Sequence, residues 1–149
     1  MAHREKLLLD FFTEVAIVEH LVRNHMATLP TKDLTAAQFG LLNYFNRMQV
    51  EQERKSHLAW CFQVALEEMD QVIASLESRG FLGRIGTGDD QIIGITAAGH
   101  AARVDAVQMM APEIEPLMSE FTDEELSETV RVLQETRRVF DNLPERLAS

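Results

Sequence analysis

The residues able to do chemistry in this chain are few, and their spacing argues against catalysis. Its 149 residues hold one cysteine and five histidines. His20 and His25 are five apart, so on a helix they do not share the face that paired metal ligands need. No cysteine or carboxylate set completes a site around them, and neither metal nor cofactor is expected. Cys61 stands between Trp60 and Phe62, the setting of a buried, inert thiol rather than a redox nucleophile. His57 and His100 read as surface or cap residues. Gly80, Gly83, Gly86 and Gly88 lack the strand-to-helix order of a phosphate loop and read as a helix stop and a turn. No Ser/His/Asp order or paired-acid pocket is present, so an enzyme is not expected. What remains is a charge pattern. Glu67, Glu68, Asp70 and Gln71 lie together, with Arg54 and Lys55 before them and Arg79 and Arg84 after. Its chemistry is recognition of a charged partner.

Those residues need elements to hold them. Over residues 4–28, Leu8, Phe11, Phe12, Val15, Val18, Leu21, Val22 and Met26 recur at helical intervals. Leu7, Leu9 and Ile17 widen this stripe beyond what one domain's core can cover, and Pro30 ends the helix. Thr35 and Gln38 form a capping box opening a helix that carries Phe39, Leu41, Leu42 and Phe45 and runs to about Arg47. Residues 48–57, with Glu51, Glu53, Arg54 and Lys55, have no clean period and read as a loop leading to a cap near Ser56. Arg47, Arg54 and Lys55 are the basic cluster nearest the motif, phosphate contacts or a solvated loop.

A short helix is predicted over residues 58–62 and a second over about 65–79. Leu66, Met69, Val72, Ile73 and Leu76 make the second helix's buried stripe, leaving Glu67, Glu68, Asp70, Gln71, Ala74 and Ser75 away from it. Gly80 is the helix stop. Two short strands joined by a Gly/Asp turn follow. Thr96 then caps a long helix reaching toward Phe121, with Pro112 and Pro116 predicting a bend or break. Thr122 and Glu125 form another capping box before a last helix to about Leu143, with Val130, Leu133 and Phe140 in its stripe. The predicted fold class is mostly α with a small β-hairpin wing. A winged helix-turn-helix at about 34–99 is flanked by helices at about 4–28 and 97–143 in one domain, 1–149.

Composition narrows the partners. At 46% hydrophobic residues the chain can bury one sizeable core. A net charge of −10 argues against a general polyanion binder. The single cysteine fits a reducing compartment. Asp10, Glu14 and Glu19 break the apolar run near the start, so neither a signal peptide nor a membrane span is expected, and a cytoplasmic location is.

In this order the motifs resemble those of the MarR-type winged-helix regulators. Leu34-Thr35-Ala36-Ala37-Gln38-Phe39 is similar to the family's Leu-Thr-x-x-Gln-aromatic opening of the second helix. Leu58-Ala59 resembles its Leu-Ala pair, and residues 76–84, Leu-Glu-Ser-Arg-Gly-Phe-Leu-Gly-Arg, its Leu-Glu-x-Lys-Gly-Leu-Val-x-Arg segment. Ile95-Thr96-Ala97-Ala98-Gly99 is similar to Leu-Thr-x-x-Gly, and Phe121-Thr122-Asp123-Glu124-Glu125 to Leu-Ser-x-Glu-Glu. The resemblance implies a homodimer through the terminal helices, with Leu8, Phe12, Val15, Val18, Val130, Leu133 and Phe140 as interface candidates. It also implies double-stranded DNA as partner and a small aromatic ligand between the dimer helices and the winged domain, with Phe11, Phe39, Phe45 and Trp60 as lining candidates.

The departures from the family pattern open a second reading. Where the family's reading helix carries Ser, Thr and Arg, this chain has Glu67, Glu68, Asp70 and Gln71. Its hairpin is about three residues shorter and has no lysine or arginine between Arg84 and Arg103. Residues 57–99 hold six acids (Glu67, Glu68, Asp70, Glu77, Asp89, Asp90) against two bases (Arg79, Arg84), a net of −4. Acids facing phosphates cost several kcal/mol together, against roughly 4–10 kcal/mol by which specific sites exceed non-specific ones. The bland account is that Glu67 and Glu68 favour the dipole of their helix's first turn. The DNA-binding candidates are therefore Arg54, Lys55, Glu67, Glu68, Asp70, Gln71, Ala74, Ser75, Arg79 and Arg84. The competing expectation is a module that kept fold and dimer, lost DNA, and offers an acidic face to a basic protein.

Overall fold

The computed structural model describes residues 2–29 and 34–143. Helix α1 spans His3–Met26 and α2 Ala36–Met48. Strand β1 (Gln52–Arg54) leads directly into α3 (Lys55–Phe62), and α4 covers Leu66–Glu77. Strands β2 (Leu82–Ile85) and β3 (Ile92–Ile95) precede α5 (Ala97–Ile114), a 3-10 turn at Glu115–Met118 and α6 (Asp123–Asp141). The stop at Pro30 lies outside the described residues. Both predicted capping boxes form. The Thr35 hydroxyl accepts from the Gln38 amide at 3.1 Å while the Gln38 side chain accepts from the Thr35 amide at 2.9 Å. Thr122 and Glu125 reciprocate in the same way, both at 3.1 Å.

The core belongs to the winged domain. Leu41, Leu42, Tyr44 and Phe45 of α2 meet Leu58 and Ala59 of α3, Met69, Ile73 and Leu76 of α4, Leu82 and Ile93 of the sheet, and Ala106 and Met110 of α5. The α4 members recur at intervals of four and three, so the helix buries one face and leaves the other free. No residue of α1 or α6 is buried.

The sequence reading needs four corrections. Residues 48–57 are not one loop. Gln52–Arg54 pairs antiparallel with β3, Gln52 opposite Gly94, making a three-stranded sheet of order β1-β3-β2 rather than a lone hairpin. A three-residue strand is too short to show a period, and no apolar residue in it marks an inward face. Second, α3 begins at Lys55, three residues before Leu58. Third, Leu66 is not part of the buried stripe. As the first residue of α4 it is 37% exposed. Fourth, Pro112 does not break its helix, which continues to Ile114; the change to 3-10 geometry comes at Glu115–Met118, which contains Pro116.

Thr96 and Gly99 join the sheet to α5. The Thr96 hydroxyl accepts from the Gly99 amide at 3.0 Å and donates to the Gly80 carbonyl at 2.6 Å. That ties the start of α5 to the chain just beyond α4, where Gly80 takes the left-handed conformation at φ 76°. A Cβ on Gly99 would lie 2.3 Å from the Phe81 carbonyl oxygen and 2.8 Å from the Ile95 side chain. Only glycine lets the helix start approach the strand so closely.

Candidate nucleic-acid interface

Helix α4 offers two distinct surfaces beside its buried face. Glu67, Gln71 and Ala74, at intervals of four and three, are exposed, and Glu68 joins them in the first turn. Ser75 points elsewhere. Its hydroxyl accepts from Gln38 Nε2 at 2.9 Å and donates to the Val72 carbonyl at 2.6 Å, which locks α4 to the start of α2. Asp70 and Glu77, seven residues apart, face the wing together.

These two acids hold two of the motif's cations, Arg84 and Lys55. Arg84 of β2 donates from Nη1 to Asp70 Oδ1 at 2.5 Å and from Nε to Glu77 Oε1 at 3.1 Å. The same Nη1 donates to Gln91 Oε1 at 2.8 Å, and Gln91 Nε2 donates to the Gly86 carbonyl at 3.3 Å. Lys55 reaches Asp70 Oδ1 from the other side at 3.2 Å. Its side chain is 10% exposed and that of Arg84 18%, against 42% for Asp70. Hydrogen bonds from Arg84 and then Lys55 hold the Asp70 carboxyl below the usual aspartate range. Burial alone would lower Arg84, but Asp70 and Glu77 outweigh it and hold the guanidinium above its ordinary value.

The wing's turn is tied to the start of α3. The Ser56 amide donates to the Asp89 carbonyl and the Lys55 amide to the Gln91 carbonyl, both at 3.0 Å. The Ser56 hydroxyl donates to Asp90 Oδ1 at 3.4 Å. The turn residues thus occupy the first amides of α3, where Asp90 also meets the positive end of the helix dipole. Arg54 is exposed just before this junction. Arg79 lies over the Phe81 ring, 4.8 Å from its centroid.

A second cluster lies behind the motif. The Tyr44 hydroxyl donates to Glu53 at 3.0 Å, and burial pushes the phenol well above its usual range. Cys61 Sγ lies 3.4 Å from His57 Nε2, and the His57 ring stacks on Trp60 at 5.8 Å between centroids. Burial, ahead of the charges of Asp141 and Glu53, raises the Cys61 thiol. His100 is held by Glu51 at 2.8 Å.

The four aromatic residues expected around a ligand take different places in the single chain. Phe45 is a core residue, Phe39 packs against the core, and Trp60 stacks with His57. Phe11 instead borders an open apolar groove of about 1000 Å³ between α1 and α6, with Leu8, Phe12, Val15, Val18 and Leu133. The interface candidates of the two terminal helices do meet, with Phe12 and Phe140 edge-to-face at 6.0 Å between centroids. Leu8, Phe12, Val15, Val18, Val130, Leu133 and Phe140 are all exposed in the single chain.

Sequence reasoning missed Gln91, Glu77 and Glu53 as partners in these networks. The one local signal is the seven-residue interval that puts Asp70 and Glu77 on the same face of a helix. Among the described residues no group of three or more His, Cys, Asp or Glu could hold a metal ion, and no helix is long and apolar enough to cross a membrane.

No family model matches the chain, and no curated protein does. Solved structures do. The transcriptional regulator BldR from Sulfolobus solfataricus superposes with a TM-score of 0.73 at 19% identity, covering 91% of this chain and 99% of that one. A MarR family protein from Bacillus stearothermophilus gives 0.70 at 14% identity, covering 95% and 100%. The organohalide-sensing transcriptional regulator RdhR-CbdbA1625 in its 2,4-dichlorophenol-bound form gives 0.64 at 15% identity, covering 93% and 82%. The chain has the MarR-type winged-helix fold.

Proposed function

We propose that this chain, on its MarR-type frame, is a homodimeric transcriptional regulator that reads duplex DNA with α4. The observation that carries the reading is the helix's division of labour. Met69, Ile73 and Leu76 complete the core while Glu67, Gln71 and Ala74 stand clear of it, as a groove-reading helix requires. Specificity on this surface comes from few groups: Gln71 suits an adenine edge, and a carboxylate can accept from a cytosine amino group. Support for the dimer comes from α1 and α6, many of whose apolar side chains stay exposed among the described residues. Each buried Leu, Phe or Val is worth about 1.5–3 kcal/mol, enough to favour a second copy of the same helices. Control by a small aromatic compound fits the neighbour solved with 2,4-dichlorophenol, and Phe11 at the α1–α6 groove is the lining residue we assign to it.

The test is selection of genomic fragments by the natural protein, followed by footprinting. A bound site with two half-sites one helical turn apart is the expected result. Absence of any fragment enriched over random duplex would overturn the reading. Thermal unfolding with aromatic carboxylates and chlorophenols tests the ligand, since a compound bound only by the native state must raise the melting temperature.

A second reading, an acidic docking face for a basic protein, is favoured by one observation. Lys55 and Arg84 are turned onto Asp70, whereas Glu67, Glu68, Asp89 and Asp90 are exposed. Salt-sensitive binding of oligolysine, without any selected DNA, would establish it over the first.

A further inference from the structure

Lys55 and Arg84 aim at a single oxygen, Asp70 Oδ1, from 3.2 and 2.5 Å. The two cations are largely shielded from water, and the more exposed carboxylate closes them off on the solvent side. Two sheltered cations converging on one surface point form a site for an oxyanion. Here the reading helix supplies the oxyanion itself. The amides at the start of α3, the motif's other anion-binding feature, are likewise filled from within by the carbonyls of Asp89 and Gln91.

We propose that Asp70 is an intramolecular stand-in for phosphate. Its carboxylate occupies an oxyanion site built by Lys55 and Arg84, and it thereby limits how much backbone contact the protein makes with DNA. The inference rests on the reading that α4 faces duplex DNA. A tethered carboxylate competes at high effective concentration, on the order of millimolar or above, so an incoming phosphodiester does not readily displace it. Removal of the carboxylate takes the bond to Asp70 from Lys55 and leaves Arg84 with the carboxylate of Glu77 alone, an excess of poorly hydrated positive charge relieved by capturing an anion from solution. Arg84 would keep its bonds to Glu77 and Gln91 and so stay oriented for that capture.

The experiment compares the full natural chain with Asp70→Ala and Asp70→Asn. Inorganic phosphate is the first probe, read by thermal unfolding against chloride at equal ionic strength. A random-sequence duplex is the second, read by fluorescence anisotropy between about 50 and 200 mM salt. Phosphate should stabilise Asp70→Ala selectively and leave the natural chain unmoved. The duplex should bind Asp70→Ala at least about tenfold tighter at low salt, with a log–log salt slope steeper by about one to two. Asp70→Asn, which keeps the shape without the charge, should fall between, and it carries the test if the alanine variant does not fold. Lack of a phosphate-specific shift in either variant overturns the proposal. A phosphate shift with no gain on the duplex overturns it too, because the site would not face DNA. The regulator reading fails on a different result, the absence of fragments selected by the natural chain, which leaves the variant's phosphate shift intact.

Discussion

Arg84 Nη1 lies 2.5 Å from Asp70 Oδ1, so the arginine nearest the wing is bound to the helix that would read DNA. The pair joins α4 to β2. It also alters what the acidic composition means, since Asp70 is spent on internal cations while Glu67 and Glu68 remain outward.

That bond should appear in the acid limb of stability. The Asp70 carboxyl is depressed in the folded state, so its contribution is fully present above the unfolded value near roughly pH 4 and is lost as pH falls through the lower folded value. Because Asp70 is partly exposed, solvent screening limits the contribution to about 1 kcal/mol. Chemical denaturation at pH 6 and pH 3, at fixed protein concentration, should show the natural chain losing more than Asp70→Asn, by up to that amount. Parallel losses in the two proteins would contradict the assignment.

Assembly is checked by sedimentation. Phe12 and Val18 lie on the exposed stripe of α1, so Phe12→Glu or Val18→Glu should convert a dimer into monomer or aggregate. A well-folded monomer of the natural protein would remove the basis for the dimer.

Gly99→Ala should destabilise by about 1–3 kcal/mol, because the new methyl must push against a backbone carbonyl rather than a movable side chain. Gly83→Ala is the control, with nothing within 4 Å of its added Cβ and an expected change within about 0.5 kcal/mol. Equal melting temperatures for the two variants would refute the packing argument.

Cys61 should react slowly. Its raised thiol pKa leaves little thiolate at neutral pH, so modification by an aromatic disulfide should run about tenfold slower than for free cysteine. Unfolding should restore the ordinary rate. A fast reaction in the native protein would instead point to an activated thiol beside His57.

The sequence by itself determined the elements with local causes. Thr35 with Gln38 and Thr122 with Glu125 begin their helices through contacts three residues apart, and Gly80 stops the chain after α4 through its own backbone freedom. The spacing of Met69, Ile73 and Leu76 likewise named the buried face of α4 before any partner was known. Only the tertiary structure decided where the charges go. Lys55 precedes Asp70 by fifteen residues and Arg84 follows it by fourteen, and no local period links such positions. They meet because β1 adds to β3 and swings the start of α3 beside the wing, a pairing set by backbone hydrogen bonds rather than by side-chain pattern. The charge total of residues 57–99 was therefore legible in the chain. Which charges remain to meet a partner was not, because an ion pair cancels charge only once the fold has brought its members together.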